Sequence, residues 1–317
     1  VSDELLLEVG APAAGGSCVA RADDGRVVFV RHVLPGERVR AVVTQTTKTF
    51  LRADAVEVLQ ASPDRVEPPC PYARPGRCGG CDWQHVALPR QRLLKGELVA
   101  EQLRRLAGVE LLPVVEEVPG APDGLGWRTR TTFAVDGQGR AGLHRHRSHD
   151  LELVERCLIS GPEVEAVGAE RLTWPGASAV EVAGARGQRV VAVTSAKGGS
   201  VELPGLDAGV VVDGRSRRTP HGLVHEVLGR RFDVAAGGFW QVHVGAAEAL
   251  ARAVLDGLDP QPGESVADLY AGAGLFAALL GERVGPTGTV LAVEASARAT
   301  ADAARNTADL PHVKVRT

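Results

Sequence analysis

The chain has 317 residues, 44% hydrophobic and only 4% aromatic, and a net charge of −3. At about 100–200 residues per domain this allows two or three domains, with cores resting on Val, Leu and Ala. No run approaches the roughly 18 apolar residues of a membrane span, and the N-terminus has early acids in place of a basic leader, so a cytoplasmic protein with no membrane partner is expected.

Residues 4–60 read as short strands. Gly25 in Ala22-Asp-Asp-Gly-Arg26 marks a hairpin between Ser17–Arg21 and Val27–Val30, Pro35-Gly36 breaks the next pair, and Arg38–Val43 and Leu51–Leu59 supply further strands. Five such strands suggest a small closed barrel of the oligonucleotide-binding kind. The run Gly15-Gly-Ser-Cys-Val-Ala-Arg21, Val28-Phe-Val30 and Leu34-Pro-Gly-Glu-Arg-Val39 resembles the TRAM domain, a barrel found on RNA-modifying enzymes. A first domain over 1–62 is expected, followed by a Pro-rich linker, Ser62–Pro69.

Cys70-x₇-Cys78-Gly-Gly-Cys81 comes next, followed by Gln84-His85, with Cys157 far downstream. The two residues between Cys78 and Cys81 let both thiolates turn to one side of a tight loop, and Gly79 and Gly80 leave room for backbone N–H groups to approach sulfur. Three clustered thiolates and a remote fourth suit an iron–sulfur cluster, whereas zinc ribbons more often pair two Cys-x-x-Cys knuckles. Buried free thiols are the plainer alternative, which the Gly, Pro and Arg of the loop disfavour. Few cysteines in a long chain also disfavour a disulfide framework.

Leu88–Leu106 reads as a helix with an apolar stripe of Leu93, Leu94, Leu98, Leu103 and Leu106. A β-rich region follows from about Val114 to Phe232, including Arg128–Val135, Leu151–Val154 and Val190–Thr194. Between Leu125 and His149 stand five arginines (Arg128, Arg130, Arg140, Arg145, Arg147) against one Asp136, a local charge that would steer a polyanion despite the acidic total. Arg128 and Arg130 alternate with threonines and would share one face, open equally to phosphate contact or to solvent. His144-x-His146-x-x-His149 fits an RNA-facing or solvated surface better than a metal cluster. Residues 63–236 are taken as a central α+β domain carrying the cysteine site.

From 237 a Rossmann-like order begins: helix Ala246–Leu258, strand Ser265–Tyr270, the glycine turn Gly272-Ala-Gly274, helix from Leu275, strand Thr289–Val293 ending in Glu294, helix Ser296–Ala308 and strand Val313–Val315. Asp268, Gly272 and Gly274 lie at the carboxyl end of the first strand, where ligands bind in such sheets. A lone Gly-x-Gly equally serves to pack helix on strand, but Glu294 at the end of the next strand can accept both ribose hydroxyls of an adenosine ligand. With no pyrophosphate cradle, S-adenosylmethionine fits better than a nicotinamide. The whole reads as multidomain α/β: a TRAM-like barrel, a central α+β region, and a C-terminal Rossmann-like methyltransferase domain over 237–317.

Together, the barrel, Cys-x₇-Cys-Gly-Gly-Cys-x₂-Gln-His, the segment Phe239-x-Gln241-Val and Asp268-Leu-Tyr-x-Gly-x-Gly resemble the RNA uracil-5-methyltransferases, most closely the iron–sulfur 23S rRNA (uracil-5)-methyltransferases. The resemblance implies a [4Fe–4S] cluster on Cys70, Cys78, Cys81 and Cys157, and S-adenosylmethionine contacts from Gln241, Tyr270 and Glu294. It implies an RNA partner, with rRNA ahead of tRNA. RNA contacts are expected from Arg128, Arg130, Arg145 and Arg147, and the protein is expected to be a monomer. Leu275 and His243 depart from the family, which usually has Asn at both positions.

Carbon 5 of uracil is a poor nucleophile, and the family's solution adds a cysteine thiolate to C6 before methyl transfer. With four cysteines assigned to the cluster and Cys18 in the barrel, no thiol remains. The nucleophilic cysteine and the general base are therefore expected beyond Thr317, the Rossmann-like domain is expected to be incomplete, and this chain alone is expected to be inactive. So short a parallel sheet would also expose both faces. A radical methylthiotransferase is disfavoured by the missing Cys-x₃-Cys-x₂-Cys triad. The alternative from another class is a non-catalytic RNA-binding iron–sulfur protein.

Overall fold

A computed structural model describes residues 4–317, so the first three residues of the expected 1–62 domain lie outside the described part. The chain divides into two compact units, Val1–Glu117 with Leu143–Val154, and Val118–Gly142 with Glu155–Thr317.

In the first unit β1 (Glu4–Glu8), β2 (Pro12–Ala13), β3 (Ser17–Arg21), β4 (Val27–Arg31), β5 (Arg38–Thr46) and β6 (Phe50–Gln60) form one curled sheet in the order β1-β5-β6-β4-β3-β2. Its two edge strands are consecutive in sequence, and Gly10 between them donates to the Val19 carbonyl at 2.7 Å. Alternation along the strands sends Leu7, Cys18, Val28, Val30, Val39, Leu51 and Ala53 into one core. The hairpin expected at Gly25 is present, with Gly25 at φ 83°.

Segment 62–69 is not a free linker. Arg65 reaches back to the buried carboxylate of Glu37 with two 2.6 Å bonds. Helix α1 (Leu88–Ala107) starts with a proline in its first turn and ends on Gly108 at φ 65°, but the expected apolar stripe is largely unburied. Leu94 is 1% exposed, while Leu93 and Leu106 are 58% and 75% exposed.

The next strands are β7 (Arg130–Val135), β8 (Ala141–His144) and β9 (Leu151–Glu152), followed by α2 (Pro162–Val167). Then come β10 (Ala177–Ala185), β11 (Gln188–Ser195), β12 (Gly209–Val212) and β13 (Arg215–Arg218). In the second unit these pair in the order β13-β12-β11-β10-β7-β8, antiparallel except for β11 with β12. The end of β8 and all of β9 pair with each other inside the first unit.

A hairpin of β14 (Gly222–Val227) and β15 (Arg230–Ala235) leads to α3 (Ala246–Leu258), β16 (Ser265–Asp268), α4 (Leu275–Val284), β17 (Thr289–Val293), α5 (Ala297–Asn306) and β18 (Val313–Arg316). The last three strands form the expected parallel sheet, β16-β17-β18. Its core continues into the hairpin: Phe232, Val234 and Trp240 pack with Leu255, Leu275, Leu279, Val290, Ala292 and Val313. The boundary expected at 236/237 therefore cuts through a shared core. The expectation of two exposed sheet faces is also corrected, since Val290, Ala292 and Val313 are buried while Leu291, on the opposite face, is 41% exposed.

Candidate functional site

The carboxyl ends of β16 and β17 hold the glycine turn in place. Asp268 does not face open solvent: its Oδ2 accepts the N–H of Ala277 at 3.1 Å, one of the first-turn donors of α4 that a helix cannot satisfy internally. Burial raises its carboxyl above the usual range, with the negative charge of Glu294 adding to the effect. Asp268 thus positions the turn against the helix. Gly274 sits at φ 86°, and an added Cβ would lie 3.1 Å from the Ala303 Cα, so the close approach of α5 demands glycine here. At Gly272, by contrast, an added Cβ would meet nothing within 4 Å, which leaves open space above the turn.

Glu294 binds the turn from the neighbouring strand. Its Oε2 accepts from the Gly272 N–H at 3.0 Å and its Oε1 from the Ser296 N–H at 2.7 Å. Each oxygen retains a second lone pair, so a diol can be added without breaking these bonds. Tyr270, between Asp268 and the turn, is 92% exposed. Gln241 lies elsewhere: it lines a cavity of about 260 Å³ with His225, Trp240 and His243, and none of the turn residues lines that cavity. The two departures from the family are structural: Leu275 is buried in the core, and His243 stacks on Trp127 at 5.6 Å between ring centres.

Two supporting residues carried no sequence signal. Asn306, at the end of α5, donates to the Ala273 carbonyl in the glycine turn (2.8 Å) and to the Asp233 carbonyl (3.1 Å), and accepts from the Asp233 N–H (2.8 Å). Asp302, one turn earlier, accepts from the Ala235 N–H at 3.1 Å. Helix α5 therefore ties the turn to β15. Only the three-dimensional pairing shows this, since Asn and Asp on a polar helix read as solvated face.

The cysteine loop is anchored by its non-cysteine residues. Gln84 accepts the Cys70 N–H at 3.1 Å, His85 meets the Val33 carbonyl at 3.3 Å, and Trp83 donates to the Gly16 carbonyl at 3.2 Å. Gly80 does donate to the Cys78 sulfur, at 3.4 Å, but Gly79 donates to the His144 carbonyl at 3.0 Å instead. Arg77 pairs with Glu152 at 2.7 Å, holding that buried carboxyl below the usual range. Among the described residues no group of three or more His, Cys, Asp or Glu is placed to hold a metal ion. The thiolates suit a soft metal chemically, but the arrangement does not supply the site, and Cys157 belongs to the second unit. His144 and His149 stand edge to face at 6.3 Å and form no such group either. Cys18 is a core thiol, pushed up to about 12 by burial and then by the charge of Glu37.

Most of the arginine cluster is engaged. Arg130 is half-buried, pairs with Glu181 at 3.4 Å and donates to the Gly238 carbonyl, while the Arg128 Nε donates to the Arg130 carbonyl at 3.0 Å. Arg140 pairs with Asp136 at 2.8 Å and Arg145 with Glu152 at 3.3 Å. Arg128 and Arg130 thus each spend guanidinium donors on bonds within the protein. Among the described residues Arg147 alone of the five has neither a carboxylate nor a carbonyl partner.

Comparison with known proteins agrees with this arrangement. The TRAM domain model matches residues 2–56. An uncharacterized RNA methyltransferase of Streptomyces coelicolor is 47% identical over 99% of this chain and 73% of its own length. The chain belongs to the RNA methyltransferase family. A Streptomyces avermitilis RNA methyltransferase is 46% identical over 99% of the chain and 78% of the relative. A 23S rRNA (uracil(1939)-C(5))-methyltransferase of Alkalilimnicola ehrlichii is 33% identical over 82% of the chain and 64% of the relative. The crystal structure of Pyrococcus abyssi tRNA (uracil-54, C5)-methyltransferase with S-adenosyl-L-homocysteine shares the fold, with a TM-score of 0.68 at 19% identity, covering 98% of this chain and 79% of that one. The resemblance drawn from the cysteine and glycine motifs is borne out. The expectation that this RNA methyltransferase chain is inactive finds no support in these matches. No helix among the described residues is long and apolar enough to cross a membrane.

Proposed function

We propose that this RNA methyltransferase uses S-adenosylmethionine to methylate C5 of a uracil in RNA, by way of a cysteine adduct at C6. The observation that carries the cofactor assignment is the Glu294 carboxylate bonded to the Gly272 N–H at the ends of two adjacent parallel strands. S-adenosylmethionine, when bound, supplies an electrophilic methyl group. Glu294 would accept the ribose hydroxyls, Gly272 would leave room for the nucleoside, and Tyr270 would complete the contacts at the turn, while Gln241, in its separate cavity, would not touch the ligand there. Asp268, Gly274 and Asn306 hold the turn rather than touch the ligand. Uracil C5 is favoured by the resemblance of the Phe239-x-Gln241-Val and Asp268-Leu-Tyr segments and by the named function of the Alkalilimnicola relative, and that name is also the support for reading rRNA ahead of tRNA.

Glu294→Ala tests the cofactor half. A hydrogen bond to a charged group is worth about 1.5–3 kcal/mol, so S-adenosylmethionine should bind roughly tenfold to a hundredfold more weakly by calorimetry. Mass mapping of RNA from a strain lacking the protein tests the reaction: one 5-methyluridine should disappear, and an unchanged 5-methyluridine map would overturn the uracil assignment.

The [4Fe–4S] cluster on Cys70, Cys78, Cys81 and Cys157 is carried by donor chemistry alone: four soft thiolates, with the Gly80 N–H bonded to the Cys78 sulfur. Anaerobically purified protein should then contain iron and lose it on Cys81→Ser. Stoichiometric zinc, or no metal, would remove the cluster from this reading.

A further inference from the structure

A pocket of about 470 Å³ opens on the barrel within the first unit, lined among others by Phe29, Arg31, Arg52, Asp54, His146 and Arg147. Its charge balance is uneven. Arg31 is matched by Asp82 at 3.0 Å and Asp54 at 3.9 Å, yet its Nε is buried without an acceptor. The Arg52 guanidinium lies over the rings of Phe29 and Phe50, 5.4 and 5.3 Å from their centres, and its Nε is also buried without an acceptor. Among the described residues neither Arg52 nor Arg147 has a carboxylate partner. Burial, and then the like charge of Arg147, lower the Arg52 pKa from its ordinary value. Arg147 holds a backbone φ of 51°, which non-glycine residues seldom adopt and which clusters at ligand sites.

The cysteine loop sets both sides of this pocket. Asp82, next to Cys81, anchors Arg31, and a Cβ on Gly16 would fall 2.2 Å from the Asp82 Cβ, so loop and barrel are in close contact there. On the other side a Cβ on Gly79 would lie 2.7 Å from the His146 Cα, so the bare glycine fixes the backbone that carries Arg147.

We propose that this pocket is a single-stranded RNA subsite, seating one phosphodiester between Arg52 and Arg147 and one base against Phe29. The proposal rests on the RNA methyltransferase reading and adds to it a composite site, since residues 2–56 match the TRAM domain and Arg147 lies outside them. Two unneutralised guanidinium groups attract a phosphate, the half-buried ring of Phe29, which already carries the Arg52 guanidinium, adds aromatic surface to the pocket wall for a base to pack on, and the volume falls within the about 300–1,000 Å³ of ligand pockets.

The test is fluorescence anisotropy of the full chain with a labelled, uridine-rich RNA decamer across a salt series. Arg147→Gln, at an exposed position with no packing role, should weaken binding about fivefold or more and lower the slope of log K against log salt by roughly 0.7, the value for one lost contact to a single strand. Arg52→Gln should do the same, and Phe29→Leu should weaken RNA binding with the salt slope kept. Unchanged affinity and slope in Arg147→Gln and Arg52→Gln would overturn the subsite. Displacement of the RNA by millimolar inorganic phosphate at constant ionic strength, with Phe29→Leu unchanged, would overturn the nucleotide assignment in favour of a bare anion site. S-adenosylmethionine binding should be unaffected in all three variants, which separates failure of the subsite from failure of the cofactor reading. No RNA binding by the wild-type chain would refute both the subsite and the RNA assignment.

Discussion

Replacing Glu37 by glutamine keeps the shape of the side chain but removes the charge at the most heavily bonded carboxylate of the first unit. Oε1 accepts from Ser62 N–H (3.0 Å) and Arg65 Nε (2.6 Å), and Oε2 from Leu34 N–H (2.8 Å) and Arg65 Nη2 (2.6 Å). Burial alone would raise this carboxyl; Arg65 and the two backbone donors hold it below its usual value. An amide in its place has one oxygen, so its NH₂ must face one backbone donor and one guanidinium donor. The cheaper orientation turns the NH₂ toward Ser62, which is partly exposed, and spares fully buried Leu34. One stranded donor and a half-matched guanidinium cost about 3 kcal/mol together. The assay is native-state hydrogen exchange of the slowest β4–β6 amides, whose protection should fall about a hundredfold if they exchange by unfolding of the unit. A loss below fivefold would mean that the Arg65 segment contributes little to holding the barrel.

Asn306→Ala strands two carbonyls and one N–H, should cost about 2–4 kcal/mol in thermal unfolding, and should weaken S-adenosylmethionine binding because Ala273 loses its tether. Full stability with unchanged calorimetric affinity would show that α5 does not hold the turn. Two buried histidines and the half-buried His225 set an acid limit: loss of hydration, the largest cause in each case, lowers His32 to about 3 and His85 and His225 to about 4. The unfolded chain takes up these protons near the ordinary 6.5, so their stabilising effect is present above that value and drains away as pH falls toward 4. Urea midpoints should be flat from pH 8 to about 6.5 and then fall, each histidine contributing up to roughly 1.4 kcal/mol per pH unit; a midpoint constant down to about pH 4.5 would contradict their neutral burial.

Strands with clean alternation were legible because period-two burial is local information: Ser17–Arg21 and Thr289–Val293 match their expected bounds residue for residue. The glycine turn and Glu294 were legible for a similar reason, since strand ends and small residues mark the ligand edge of an α/β sheet. Long-range pairing was not. Nothing near Arg65 points to Glu37, nothing near Arg130 points to Glu181, and the leucines of α1 follow a helical period without revealing which of them find a partner surface. The continuity of the core across 236/237 was hidden for the same reason, because the core shared by β15, Trp240 and the parallel sheet depends on neighbours that are distant in the chain.

Residues 143–154 belong to the first unit although they interrupt the sequence of the second. The polypeptide therefore passes between the units at 117/118, 142/143 and 154/155. During synthesis the amino-terminal body cannot be completed when residues up to 117 have emerged; it must wait for a segment delivered later, after part of its neighbour is already out. The same threading governs cleavage. A nick at any one junction leaves the two bodies covalently joined at the other two crossings. The fragments produced do not coincide with the bodies: cut at 117/118, residues 1–117 can leave only by giving up their packing with 143–154. Clean separation of the two bodies requires all three cuts, which makes this enzyme a poor candidate for division into halves at a single site.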